Sequence, residues 1–136
     1  MARIARIRVL LVDDQREVVE KLRRTLESEF LIVGAAESGE ELLQEAPKLS
    51  PHVIVLDVSM PGMSGIEAAE RVKTTLPEAR IVMLSMHADE SYVTEALKAG
   101  ASAYVLKTSG VSELARAIRE VHTGNQYLSP SVQKRS

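Results

Sequence analysis

The sequence predicts an α/β fold in which five parallel strands form one sheet and five helices cover its two faces. Three observations support this prediction. Short β-branched apolar segments recur along the chain, segments with helical spacing separate them, and no internal repeat or linker interrupts the alternation before about residue 125. The length of 136 residues suits a single domain with a sizeable hydrophobic core.

Five segments have the length and composition of buried strands. Most are apolar without strict polar alternation, as is typical of strands that are covered on both faces. They occupy residues 7–12, 31–35, 53–56, 81–84 and 103–106.

Helical spacing follows each predicted strand. The second and fourth helices are predicted at residues 40–46 and 90–99, and the other three have a clear apolar face. Those faces consist of Val18, Val19, Leu22 and Leu26 in the first helix, Ile66, Ala69, Val72 and Leu76 in the third, and Val111, Leu114, Ala115, Ile118 and Val121 in the fifth.

Local signals mark where several of these helices begin and end. Ser38 with Glu41 is typical of a capping box, and Asp89 precedes the fourth helix as a candidate N-cap. Gly100 and Gly124 follow the fourth and fifth helices, where a left-handed residue commonly ends a helix.

The composition excludes several classes of function. The absence of cysteine excludes disulfides, thiol nucleophiles and cysteine-ligated metal centres. A net charge of −2 and a total of four aromatic residues do not favour nucleic-acid binding by these 136 residues. The apolar run at residues 9–12 is too short for a signal peptide or a membrane span, so we expect a cytoplasmic protein.

Polar side chains end four of the five predicted strands. Asp13 and Asp14 follow the first strand, Asp57 the third, Ser85 the fourth and Lys107 the fifth. Ligands of open α/β sheets bind beyond the carboxyl ends of the strands. We therefore expect three carboxylates, a hydroxyl and an ammonium group to meet at one edge of the sheet.

Each of these residues also has a purely structural interpretation. Asp14 with Glu17 could cap the first helix, and Asp57 opens a turn in which aspartate is common. Together, however, three crowded carboxylates would repel one another unless a cation is shared. An oxygen-only acidic site is the kind that Mg²⁺ prefers, and such a site suits phosphoryl transfer with Asp57 as the nucleophile.

The order and spacing of these residues resemble the receiver domain of bacterial two-component response regulators. The resemblance extends from about residue 7 to residue 123, and it rests on five short segments. These are LLVDD at residues 10–14, LDVSMPGMSG at 56–65, LS at 84–85, ALKAGA at 96–101 and YVLK at 104–107. It implies a flavodoxin-like, doubly wound sheet with strand order 2-1-3-4-5.

The resemblance also implies roles for individual residues. Asp57 would be the phosphoacceptor, and Asp13 and Asp14 would hold Mg²⁺ together with Asp57 and the carbonyl of Ser59. Lys107 would pair with the phosphoryl group.

Further roles follow from the same resemblance. Ser85 and Tyr104 would be the switch pair, in which the hydroxyl moves toward the phosphate and the ring turns inward. Ser59 and His87 would line the approach to the phosphoryl group and tune its hydrolysis. His87 has no metal-ligand spacing to the other two histidines, so we do not expect a zinc site.

One position departs from the family pattern. Many receivers follow the lysine with a cis-proline, but Thr108 follows Lys107 here, so the peptide bond could be cis or trans. This threonine and the segments 106–114 and 124–130 resemble the NarL/FixJ (LuxR-type) subfamily. We therefore expect a receiver domain at residues 1–124, and at 125–136 a tail or the start of a linker to a DNA-binding domain absent from this chain.

The expected function is a phosphorylation-dependent signalling switch rather than an enzyme with turnover. Its expected partners are a sensor histidine kinase and a second copy on phosphorylation, with DNA bound only through the absent domain and no membrane contact. The alternatives are a stand-alone receiver in a phosphorelay, a flavodoxin-like cofactor protein, a receiver that is not phosphorylated and a small aspartyl phosphatase. That last class commonly needs a second acid where Ser59 stands.

Overall fold

A parallel sheet of six strands forms the centre of the molecule in a computed structural model that describes residues 6–133. The spatial order of the strands is β2-β1-β3-β4-β5-β6. The strands are β1 (Arg8–Val12), β2 (Leu31–Ala36), β3 (Val53–Asp57), β4 (Arg80–Ser85), β5 (Ala103–Leu106) and β6 (Tyr127–Leu128).

Helices connect consecutive strands and cover both faces of the sheet. They are α1 (Arg16–Leu26), α2 (Gly39–Leu49), α3 (Gly65–Thr75), α4 (Glu90–Lys98), α5 (Val111–His122) and α6 (Pro130–Gln133), with a single 3₁₀ turn at Lys107–Ser109. None of the helices in the part of the chain that the structure describes is long and apolar enough to cross a lipid bilayer.

The core consists of two apolar layers, one on each face of the sheet. Alternate residues of a strand point to opposite faces, so Leu10 and Val12 join the layer formed with α2, α3 and α4. Val9 and Leu11 join the opposite layer, which is formed with α1 and α5. Covering both faces explains why the strand interiors are mostly apolar and lack strict polar alternation.

The prediction of an α/β fold with a parallel sheet is confirmed. The expected five strands and five helices are wrong, because residues 6–133 alone contain six of each. The sixth strand and the sixth helix lie within the predicted tail, whose last residues, 134–136, fall outside the described residues, as do residues 1–5. Strand β6 has two residues and therefore no periodicity. It forms because Tyr127 N donates to Ser102 O at 3.0 Å across the edge of β5.

The helix ends confirm part of the capping prediction. The Ser38 hydroxyl accepts a hydrogen bond from Glu41 N at 3.1 Å. The Glu41 carboxylate accepts from Glu37 N, whereas a complete capping box would have it accept from Ser38 N. Asp89 is the N-cap of α4, although its side chain makes no capping bond. The structural alternative for Asp14 is wrong, because the N-cap of α1 is the next residue, Gln15.

Gly65 brings the start of α3 against the end of β3. Its N–H donates to Val58 O at 2.8 Å, and a Cβ at this position would lie 2.0 Å from Asp57 O. Only glycine permits this approach, because every other residue would place a carbon atom inside the backbone of β3.

Replacing Gly65 with alanine is expected to lower the free energy of unfolding by about 3 kcal/mol or more, because the added methyl group has only rigid backbone to displace. Urea denaturation measures this loss. The control is Gly62→Ala, where φ is +75° and no atom lies within 4 Å of the added Cβ; left-handed strain alone should cost it about 1 kcal/mol. Equal losses in the two variants would contradict the steric interpretation.

Candidate functional site

The parallel register places the predicted site residues at one edge of the sheet. Asp13 directly follows β1, Asp57 and Ser85 end β3 and β4, and Lys107 directly follows β5. Because all these strands run in the same direction, their carboxyl ends meet at this edge.

The three aspartates form a compact oxygen cluster. Asp13, Asp14 and Asp57 each offer one carboxylate oxygen, and these oxygens lie within 4.8 Å of one another. Asp13 and Asp57 are buried, with 3% and 4% of their surface exposed, whereas Asp14 is open to solvent. The cluster therefore has a buried floor and one accessible acid at its rim.

Lys107 joins the two buried acids. Its Nζ lies 3.3 Å from Oδ2 of Asp13 and 3.3 Å from Oδ2 of Asp57. Burial by itself would lower the pKa of Lys107, but attraction to Asp57 and then to Asp13 outweighs this effect and raises it. The lysine is therefore held in its charged form between the carboxylates.

One ammonium group does not neutralise the cluster. Burial and then repulsion from Asp13 raise the pKa of Asp57, and the opposing effects of Lys107 and of the Ser59 N–H only partly offset this rise. The other oxygens of the buried acids are already engaged, since Asp13 Oδ1 accepts from Gln15 N at 2.9 Å and Asp57 Oδ1 accepts from Ser59 N at 3.2 Å. The remaining negative charge suits a divalent cation with oxygen ligands.

The site opens to solvent through a cleft of about 290 Å³. Its walls give a small charged group access to the Asp57 carboxylate and to the Lys107 ammonium group. The lining residues are Asp14, Gln15, Asp57, Ser59, Met86, His87 and Lys107.

Ser85 and Tyr104 are linked through the backbone of His87. The Ser85 hydroxyl accepts a hydrogen bond from His87 N at 2.9 Å, and the Tyr104 hydroxyl donates to His87 O at 2.6 Å. Both residues are fully buried, so the tyrosine ring points inward. The imidazole of His87 stacks on Tyr92, with centroids 4.5 Å apart and an angle of 6° between the rings.

The peptide bond between Lys107 and Thr108 is trans, as are the other peptide bonds of the described residues. Thr108 lies in the 3₁₀ turn that directly follows β5. This finding answers the question that the sequence left open.

Sequence reasoning missed three residues of the site. Gln15 and Met86 line the cleft, and Tyr92 supports His87. Gln15 and Met86 each stand beside a predicted site residue at a strand end, which is a signal that could have found them. Tyr92 lies on α4, and no sequence pattern links it to His87.

Comparison with known proteins identifies the family of this domain. The family model for the response regulator receiver domain matches residues 9–119, and the chain therefore belongs to the receiver domains of two-component response regulators. The resemblance seen in the sequence is thus confirmed.

The curated relatives include transcriptional regulators. The chain is 39% identical over 128 residues to the response regulator GacA of Pseudomonas protegens, covering 93% of this chain and 60% of that protein. It is 37% identical to the transcriptional regulatory protein DegU of Brevibacillus brevis, covering 93% of this chain and 55% of that protein. The chain thus spans somewhat more than half the length of these relatives.

Solved structures show the same fold. A two-component response regulator of the LuxR family from Aurantimonas sp. matches with a TM-score of 0.91 and 32% identity, covering 96% of this chain and 94% of that one. The isolated REC domain of RcsB from Salmonella enterica, in the presence of phosphomimetic BeF₃⁻, matches with a TM-score of 0.87 and 28% identity, covering 95% and 97% of the two chains.

The raised pKa of Asp57 predicts that Asp57→Asn stabilises the metal-free protein at pH 7. A carboxyl group whose pKa is raised on folding contributes most to the free energy of unfolding at low pH. That contribution is lost as the pH rises from the ordinary pKa of 3.8 through the raised pKa. The neutral amide of the variant avoids this loss, so we expect its free energy of unfolding at pH 7 to be about 1 kcal/mol higher than that of the parent protein.

Thermal unfolding in a chelator, measured from pH 7 down to pH 3, tests this sign. The advantage of the variant should shrink as the pH falls, and Asp89→Asn, outside the cluster, should change stability by no more than about 0.5 kcal/mol. A less stable Asp57→Asn protein at pH 7 would show that the Lys107 ion pair outweighs burial and repulsion.

Proposed function

We propose that this receiver domain takes a phosphoryl group onto Asp57 from a histidine kinase, in the presence of Mg²⁺, and thereby controls a transcriptional response regulator. The observation that carries the proposal is the contact of the Lys107 ammonium group with both buried acids at 3.3 Å. In this contact the Asp57 carboxylate, which would be the nucleophile, lies beside an ammonium group that would pair with phosphoryl oxygens. Both groups line a cleft that is open to solvent.

The transfer forms one bond and breaks one. An Asp57 oxygen bonds to phosphorus while the bond from phosphorus to the kinase imidazole nitrogen breaks, and the imidazole keeps the electron pair. Asp13, Asp14 and Asp57, with the carbonyl of Ser59, would hold Mg²⁺, which neutralises charge on the transferring phosphoryl oxygens. Lys107 pairs with those oxygens once the Asp57 carboxylate has become an acyl phosphate.

The contacts of His87 suggest how phosphorylation of Asp57 would change the surface of the domain. The Ser85 hydroxyl would move toward a phosphoryl oxygen, and residue 87 would shift with it, because His87 N donates to this hydroxyl. The carbonyl of the same residue accepts from Tyr104, so the ring and the loop move together. Ser59 and His87, at the cleft, would set how readily water hydrolyses the acyl phosphate.

The wider role is inferred from the relatives. Structures of RcsB include dimers bound to DNA and a DNA complex, and the chain spans 60% of GacA. We propose that phosphorylation promotes pairing of two copies, that a domain outside these residues binds DNA, and that the reaction occurs in the cytoplasm.

Two alternatives have distinct behaviour. A stand-alone receiver would pass the phosphoryl group on without binding DNA. A phosphatase would hydrolyse many phosphoesters with turnover, but Ser59 supplies no second acid at the cleft, so we favour a single stoichiometric phosphorylation.

Incubation with Mg²⁺ and a small acyl phosphate should add one phosphoryl group, because Asp57 lines the open cleft beside Lys107. Intact-mass spectrometry measures the adduct, which should be absent in Asp57→Asn and retained in Asp89→Asn. An adduct on Asp57→Asn would place the acceptor elsewhere. Continuous release of inorganic phosphate from many substrates would favour the phosphatase.

Ser85→Ala should keep the adduct but weaken phosphorylation-dependent self-association by about tenfold, since the variant lacks the hydroxyl that contacts residue 87. Analytical ultracentrifugation of phosphorylated samples measures this loss. Ser28→Ala, an exposed serine beyond α1, is the control and should associate like the parent protein. Unchanged association in Ser85→Ala would remove Ser85 from the switch.

A further inference from the structure

The segment of residues 127–132, which we call the β6–α6 segment, contacts the backbone of β5. Ser129 N donates to Tyr104 O at 3.0 Å, and Leu128 is the register partner of Tyr104. Tyr127 N donates to Ser102 O at 3.0 Å. The segment therefore holds the strand that carries Tyr104 and leads to Lys107.

The side chain of Ser129 makes two further contacts and is fully buried. Its hydroxyl accepts from Leu106 N at 3.1 Å and donates to the carboxylate of Glu113 on α5. Leu106 directly precedes Lys107. The hydroxyl thus ties the last residue of β5, and with it the turn that begins at Lys107, to helix α5.

Apolar packing joins the same segment to the switch residue. Val132 is 3% exposed and belongs to the core layer that contains Tyr104 and Val93 of α4. A shift of the Tyr104 ring within this layer would alter the surface against which Val132 packs.

We propose that Ser129 is a positioning residue for Lys107 and Tyr104, and that the β6–α6 segment senses through it whether Asp57 carries a phosphoryl group. The inference rests on the proposed function. Without the hydroxyl, Leu106 N loses its acceptor in a buried environment, and the turn at Lys107 loses its tie to α5. Because coupling is reciprocal, filling the Asp57 site must stabilise the segment as much as the segment favours filling.

The first test measures the affinity of the full chain for BeF₃⁻ with Mg²⁺ by calorimetry. Ser129→Ala should bind BeF₃⁻ about five- to tenfold more weakly, since Lys107 is less well placed. Glu113→Gln keeps an acceptor for the Ser129 hydroxyl and should stay within about twofold of the parent. Val121→Ala removes buried methyl groups in the opposite core layer and should also stay within about twofold, whatever its effect on stability.

The second test needs no change at Ser129. Amide hydrogen exchange across residues 127–132 should slow several-fold when Mg²⁺ and BeF₃⁻ are added to the parent protein, and it should not change in Asp57→Asn. This measurement remains decisive even if Ser129→Ala does not fold.

The outcomes are distinguishable. BeF₃⁻ binding with no change in exchange at residues 127–132 would overturn the inference and leave the proposed function intact. Equal weakening of binding by Val121→Ala and Ser129→Ala would also overturn the inference alone, because the effect would then reflect stability. No binding of BeF₃⁻ by the parent would overturn the proposed function, and the inference with it.

Discussion

The contact of one lysine with two buried aspartates is the interaction on which this domain depends. The Lys107 ammonium group lies 3.3 Å from a carboxylate oxygen of each buried aspartate, and it offsets part of the repulsion between the two carboxylates. The compensation is incomplete, since the pKa of Asp57 remains raised. An acidic site left short of positive charge is suited to attract a cation and to react with a phosphoryl group.

The rest of the fold brings these three groups together and holds them there. Asp13 directly follows β1, and Asp57 ends the neighbouring strand β3. Lys107 follows β5, two strands away from β3, so its long side chain reaches across the end of β4. The close approach of Gly65 to Asp57 O seats α3 against the end of β3. The site is therefore a property of the whole sheet edge, and no single loop contains it.

Strand β5 connects this chemistry to more distant parts of the molecule. The strand leads directly into Lys107. Within it, the Tyr104 hydroxyl donates to the carbonyl of His87, whose N–H donates to Ser85. On the side away from β4, the strand pairs with β6. Ser129 contacts the backbone at two points of the strand. In the proposed switch, phosphorylation of Asp57 would act on the loop between β4 and α4 and on the β6–α6 segment through these hydrogen bonds.

The α/β class, the five longer strands and the polar residues at the ends of four of them could be predicted from the sequence alone, because a buried apolar run and the polar residue that ends it are local patterns. The sequence also predicted the Ser38 cap, whose partner is three residues away. The three-dimensional structure was needed to show that the N-cap position of α1 is Gln15 rather than Asp14, that the bond after Lys107 is trans, and that residues 127–128 form a strand. The strand at residues 127–128 depends on contacts between residues far apart in the chain, such as Tyr127 with Ser102, and so short a segment has no periodicity from which its partner strand could be predicted.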